Sequence, residues 1–88
     1  MIKALIIEDH PDILDVLSRQ LKRLGFAAVS ANNGKDGVKK AIEEKPHLIL
    51  MDIMMPGMDG LEATRLIRAN PETKEIPSHV VWPSWRRK

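Results

Sequence analysis

Three carboxylates stand where an apolar run gives way to polar residues: Glu8 and Asp9 after Ala4-Leu5-Ile6-Ile7, and Asp52 after His47-Leu48-Ile49-Leu50-Met51. Carboxylates with ordinary pKa values near ~4 are all charged at neutral pH, so gathering three of them costs repulsion. A hard divalent cation offsets that cost. Mg²⁺ takes oxygen ligands: one or two carboxylates, backbone carbonyls, water and phosphate oxygens. It also screens a phosphoryl donor approaching a carboxylate nucleophile, and attack on phosphorus by an Asp oxygen yields an aspartyl phosphate, a recognised type of covalent intermediate. A single Asp after a strand more often caps a helix or shapes a turn. Asp12 and Asp59 are accounted for in that way. What sets Glu8, Asp9 and Asp52 apart is that the pair and the single residue all fall at predicted strand ends of one alternating fold.

The elements that must position them follow a βαβαβαβ order. Ala4 to Ile7 is a short continuous apolar run, as expected for a strand buried on both faces of a parallel sheet. Pro11 suits a first helical turn. Ile13, Leu14, Leu17, Leu21 and Leu24 follow at helical spacing, and Gly25 marks the end. Phe26 to Ala31 reads as a second strand, Asn32-Asn33-Gly34 as a turn, and Lys35 to Glu44 as a helix burying Val38, Ala41 and Ile42. Pro46 breaks that helix, and the third strand delivers Asp52 at its carboxyl end. Pro56, Gly57 and Gly60 make a loop. Asp59 is a predicted N-cap for a helix carrying Leu61, Leu66 and Ile67, and Ile76 to Val81 reads as a fourth strand with Pro77 near its start. This order predicts a parallel sheet with right-handed crossovers and helices on both faces. Ligands bind at the carboxyl ends of the strands in such sheets, which selects Glu8-Asp9 and Asp52.

Composition narrows the classes. The 88 residues are 43% hydrophobic and 30% charged, a balance for one small globular domain. No apolar run approaches the ~20 residues of a spanning helix, and no secretory leader is evident, so a cytoplasmic protein is expected. The absence of cysteine excludes disulfides and thiolate metal sites. The net charge of +2 is uneven: residues 1–75 carry 11 Lys and Arg against 12 Asp and Glu, whereas residues 76–88 carry Arg86, Arg87 and Lys88 and no acid. Trp82 and Trp85 lie in the same tail. Three terminal charges are most often a solvated end, and no reading helix accompanies them, so a nucleic-acid role has little behind it.

The run Leu5-Ile6-Ile7-Glu8-Asp9-His10-Pro11 resembles the opening of response-regulator receiver domains. The run from Met51-Asp52 through Met54-Met55-Pro56-Gly57-Met58-Asp59-Gly60 is similar to their phosphorylation-site segment. The resemblance covers Met1 to about Pro77. It implies a flavodoxin-like sheet, a phosphoacceptor at Asp52, and Mg²⁺ held by Glu8, Asp9, Asp52 and the backbone carbonyl of Met54. Pro56, Gly57 and Gly60 would shape the loop beside the acceptor. Met55 and Met58 are packing residues on this reading, since thioethers do not suit Mg²⁺. His10, His47 and His79 share no spacing and are read as structural. The implied function is a receiver module of two-component phosphorelay signalling, served by a histidine kinase or phosphotransfer protein and not itself an enzyme beyond its own phosphorylation.

The chain departs from the family after Pro77. Family receivers end their fourth strand in a Ser or Thr and their fifth in a Lys, both beside the phosphoryl group. The register places Trp82 at the hydroxyl position, and the last strand and last two helices have no counterpart. The expectation is a truncated or frame-shifted receiver over residues 1–77 with an atypical tail over 78–88. The alternative function is a signalling-defective remnant acting by dimerising or by docking on a kinase. Loss of the last helix is expected to bare apolar surface around Leu5, Ile7, Leu48 and Leu50 or their neighbours. Covering on the order of 800 Å² per partner would contribute about 20 kcal/mol gross, against association costs of roughly 4–15 kcal/mol. Self-association is therefore predicted, with Val80, Val81, Trp82 and Trp85 as interface candidates.

Overall fold

The computed structural model describes the backbone of residues 1–52 and 60–81, and the side chains of residues 1–51 and 60–78. Its elements are β1 (Lys3–Ile7), α1 (Pro11–Arg23), β2 (Ala27–Ala31), α2 (Gly34–Glu44), β3 (Leu48–Asp52), α3 (Gly60–Ala69) and β4 (Ser78–Val81). All pairings are parallel, in the order β2-β1-β3-β4. That is the predicted flavodoxin-like arrangement over its first four strands. β4 takes up residues 78–81 of the segment that composition set apart.

Each boundary has a local cause. Pro11 has no N–H to lose and opens α1. Gly25, at φ 95°, takes the left-handed turn that ends α1, while the N–H of Phe26 reaches back to the carbonyl of Leu21. The Asn33 side chain accepts the N–H of Asp36 at 2.8 Å, so α2 starts at Gly34, one residue ahead of the expected Lys35. α2 ends at Lys45, a non-glycine residue in the left-handed region, and buried Pro46 prevents continuation. At the amino rim of the sheet, His47 Nδ1 accepts the N–H of Lys3 at 2.9 Å while the N–H of His47 donates to the Lys3 carbonyl at 2.8 Å. That reciprocal pair gives His47 a structural task.

The strand order and right-handed crossovers fix the layers. The path from β1 to β2 runs one way across the sheet, and the paths from β2 to β3 and from β3 to β4 run the other. Hence α1 lies on one face and α2 with α3 on the opposite one. Leu5, Ile7, Ala31, Ile49 and Met51 face the α2–α3 layer and pack with Ala41, Ala63 and Ile67. Gly34, Gly37 and Ala41 are the buried stripe of α2. Gly37 lies so close to Ile7 that a Cβ there would fall 2.3 Å from Ile7 Cδ1. α3 turns Ala63 and Ile67 inward and leaves Leu61 and Leu66 exposed, so only Ile67 of its three expected apolar residues serves the core.

The expected bared surface needs correction on two residues. Leu5 and Ile7 are fully buried, because they face the two-helix layer. The thinner cover is on the other face, where α1 is the one helix among the described residues and has no buried residue. Leu48 and Leu50 are half-buried there, as alternation from Ile49 and Met51 requires.

Candidate functional site

The carboxyl rim holds Glu8 and Asp9, the described side chains of the three carboxylates selected from the sequence. The N–H of Glu8 donates to the Ala31 carbonyl at 3.0 Å, carrying the β1–β2 ladder one residue beyond the strand. That anchors the Glu8 backbone in the sheet. Its side chain is only 2% exposed, and Oε2 accepts the backbone N–H of His10 at 3.0 Å. The resulting turn delivers Pro11 to the start of α1. Asp9 is half-buried beside it. β1 pairs with β3 as far as Ile7 on Met51, the residues that precede Glu8 and Asp52 in sequence, and Asp52, the last residue of β3, pairs through its backbone with Val81. Thr64 of α3 donates to the Gly60 carbonyl at 2.7 Å and lies 3.6 Å from Met51 Sδ. It ties the start of α3 to β3 just before Asp52, a link that a helical Thr in the sequence does not announce.

Gly60 is buried as the first residue of α3, whereas Met54, Pro56 and Gly57 lie outside the described residues, as do Trp82 and Trp85. Val80 and Val81 belong to β4, at the edge of the sheet. Among the described side chains no group of three His, Cys, Asp or Glu is assembled for a metal. Glu8 and Asp9 are the described part of the trio. Their chemistry fits Mg²⁺: hard oxygen donors, one of them a carboxylate withdrawn from water, where a charge is unfavourable without a compensating partner.

A second concavity, not singled out in the sequence, has a volume of about 290 Å³ and lies at the end of β2 between Leu14, Ser30, Ala31, Asn32, Asp36 and Lys40. Lys40 Nζ donates to the Ser30 carbonyl there. The four-residue spacing of Asp36 and Lys40 on α2 was the available signal, and it reads equally as a solvated helix face.

The family model for the response regulator receiver domain matches residues 4–81. The protein PilH of Pseudomonas aeruginosa is 42% identical over 81 residues, covering 92% of this chain and 67% of its own length. The response regulator GacA of Pseudomonas syringae is 42% identical over 79 residues, covering 86% of this chain and 37% of its own length. The N-terminal domain of a response regulator receiver protein from Methanoculleus marisnigri superposes with a TM-score of 0.84 at 36% identity, over 86% of this chain and 62% of that one. The receiver domain of the sensor histidine kinase PA1611 from Pseudomonas aeruginosa, solved with a magnesium ion coordinated in its active site cleft, gives 0.83 at 33% identity over the same shares. The chain thus spans about two thirds of PilH and of these solved domains, and just over a third of GacA.

Proposed function

Because this chain belongs to the response regulator receiver domain family of two-component signalling, we propose that Asp52 is its phosphoacceptor and that Glu8 and Asp9 hold a Mg²⁺ ion beside it. Receiver domains are signalling modules rather than enzymes of the usual kind, so the reaction is one on the chain itself. The observation that supports this reading is the register of β1 on β3, in which Ile7 pairs with Met51, the residues that precede Glu8 and Asp52, with Glu8 buried and Asp9 half-buried.

In the proposed step a carboxylate oxygen of Asp52 bonds to phosphorus as the bond to the donor's leaving group breaks, giving an aspartyl phosphate. The donor is a phosphohistidine of a histidine kinase or phosphotransfer protein, so the electron pair of the broken P–N bond returns to the imidazole. When bound, Mg²⁺ neutralises charge on the phosphoryl oxygens. Glu8 and Asp9 would supply carboxylate ligands and the Met54 backbone carbonyl a further oxygen, while Pro56, Gly57 and Gly60 would shape the loop that follows. We assign the chain to the cytoplasm; no described helix is long and apolar enough to cross a membrane. We also propose that it self-associates, through the thinly covered sheet face and the segment of Val80, Val81, Trp82 and Trp85.

Incubation with Mg²⁺ and a small-molecule phosphodonor tests the reading. Intact mass should rise by one phosphoryl group, and Asp52→Asn should abolish the rise. An unmodified wild-type chain, under conditions that modify an intact receiver, would overturn it.

A further inference from the structure

The concavity at the carboxyl end of β2 brings together groups that the proposed phosphoryl chemistry does not use. Its volume of about 290 Å³ far exceeds the ~10–15 Å³ that a single water requires. Both of its charges come from α2. Asp36 and Lys40 stand four residues apart, an acid one turn ahead of a base, the order that favours an ion pair along a helix. Among the described residues, however, they form no ion pair with each other. Each is held by a different partner. Asp36 Oδ2 accepts from Asn33 Nδ2 at 3.2 Å, while the Asp36 backbone N–H donates to Asn33 Oδ1 at 2.8 Å. Lys40 Nζ donates to the Ser30 carbonyl and is drawn toward the end of β2.

We propose that this concavity binds a small zwitterion of the amino-acid class, with its carboxylate on Lys40, its ammonium on Asp36 and its carbon frame toward Leu14. Both charged groups keep capacity for a ligand. An ammonium has three N–H donors and Ser30 takes one of them, and a carboxylate held through Oδ2 can still accept through Oδ1. A simple anion entering here would be drawn to Lys40 and repelled by Asp36, and a simple cation would meet the reverse. A molecule carrying both charges satisfies both residues. Cβ atoms at this helical spacing lie about 5–6 Å apart, a gap that a compact molecule with an acid and an amine a few bonds apart can bridge. Ser30 and Asn32 add a hydroxyl and a carboxamide to the wall, and Leu14 of α1 adds apolar surface. Because Asn33 and the Ser30 carbonyl already hold the two charged side chains, binding has less side-chain freedom to remove. The position also obeys the rule that ligands of open parallel sheets enter at the carboxyl ends of the strands. This site does not depend on phosphorylation of Asp52.

The test is a titration of the isotope-labelled 88-residue chain with L-alanine, followed by amide NMR in low-salt buffer where surface charges are least screened. The signals of Ser30, Asn32, Asp36 and Lys40 should shift saturably, with a Kd on the order of 1–10 mM. Acetate and methylammonium, which carry one charge each, should bind about tenfold more weakly or worse. Asp36→Asn keeps the shape of the side chain and an acceptor for Asn33 but removes the charge, and it should weaken L-alanine about tenfold or more. Lys40→Gln should do the same from the other side. Lys39→Gln, exposed on the same helix and outside the cavity, should leave binding unchanged. The absence of any saturable shift with L-alanine would overturn the proposal. So would acetate or methylammonium binding as tightly as L-alanine, which would reduce the cavity to a site for one ion, or an Asp36→Asn chain that binds L-alanine like the wild type.

Discussion

The carboxylate of Glu8 accepts the backbone N–H of His10 at 3.0 Å, closing a turn between the end of β1 and the first residue of α1. One side chain thus shapes the turn and, in the proposed function, also supplies charge to the metal site. Glu8→Gln separates the two roles, because an amide oxygen still accepts the His10 N–H but carries no charge. Thermal unfolding of Glu8→Gln should stay near that of the wild type while Mg²⁺ affinity, read by calorimetric titration, falls about tenfold or more. Glu8→Ala should in addition lose about 1–3 kcal/mol of stability.

Gly37 is where α2 comes closest to the sheet. Gly37→Ala would drive a methyl to 2.3 Å from Ile7 Cδ1, and the helix or the strand must give way. Overpacking of this kind costs about 1–3 kcal/mol, offset by up to about 1 kcal/mol from the better helix propensity of Ala. Urea unfolding should show a net loss. Combining it with Ile7→Val, which deletes Cδ1, should recover part of that loss, a coupling that a double-mutant cycle measures directly.

Lys45 closes α2 at φ 46°, in a region that L side chains occupy at a cost. Lys45→Gly should raise stability by about 1 kcal/mol, seen as a higher unfolding midpoint. The ion pair of Lys45 with Glu72 is well exposed and should subtract little.

Asn33 accepts the N–H of Asp36 at the opposite end of the same helix. Asn33→Ala should cost about 1 kcal/mol. Asn33→Ser, which keeps an acceptor without setting a second carboxylate against Asp36, should restore most of it in the same denaturation assay.

The alternation of strands and helices was legible because each element is short and punctuated by Gly, Pro or Asn. Which face a residue would serve was less so. Ala4 to Ile7 are buried on both faces, so their run of apolar residues says nothing about whether Leu5 or Ile6 meets the two-helix layer. The crossover direction decides that, and it is a property of the whole topology. In α3 the small Ala63 sits inward and the larger Leu61 outward, an assignment that size alone would reverse. At the site, strand ends picked out Glu8, Asp9 and Asp52. The burial of Glu8 and the Thr64 link depend on contacts between distant segments, and no local pattern encodes them.

The position of β1 has a consequence for how the chain assembles. Among the described strands it is the first to be synthesised, and it ends with β2 on one side and β3 on the other. β2 can close one flank as soon as α1 has crossed, since the two strands are separated only by that helix and its turns. The other flank has to wait for β3, after the whole of α2 has been made. A parallel sheet built outward from its earliest strand thus leaves an open apolar ribbon during synthesis, and such intermediates are where neighbouring nascent chains capture one another. The pace at which α2 and β3 follow β2 out of the ribosome should therefore govern the yield of folded protein as much as the final stability does.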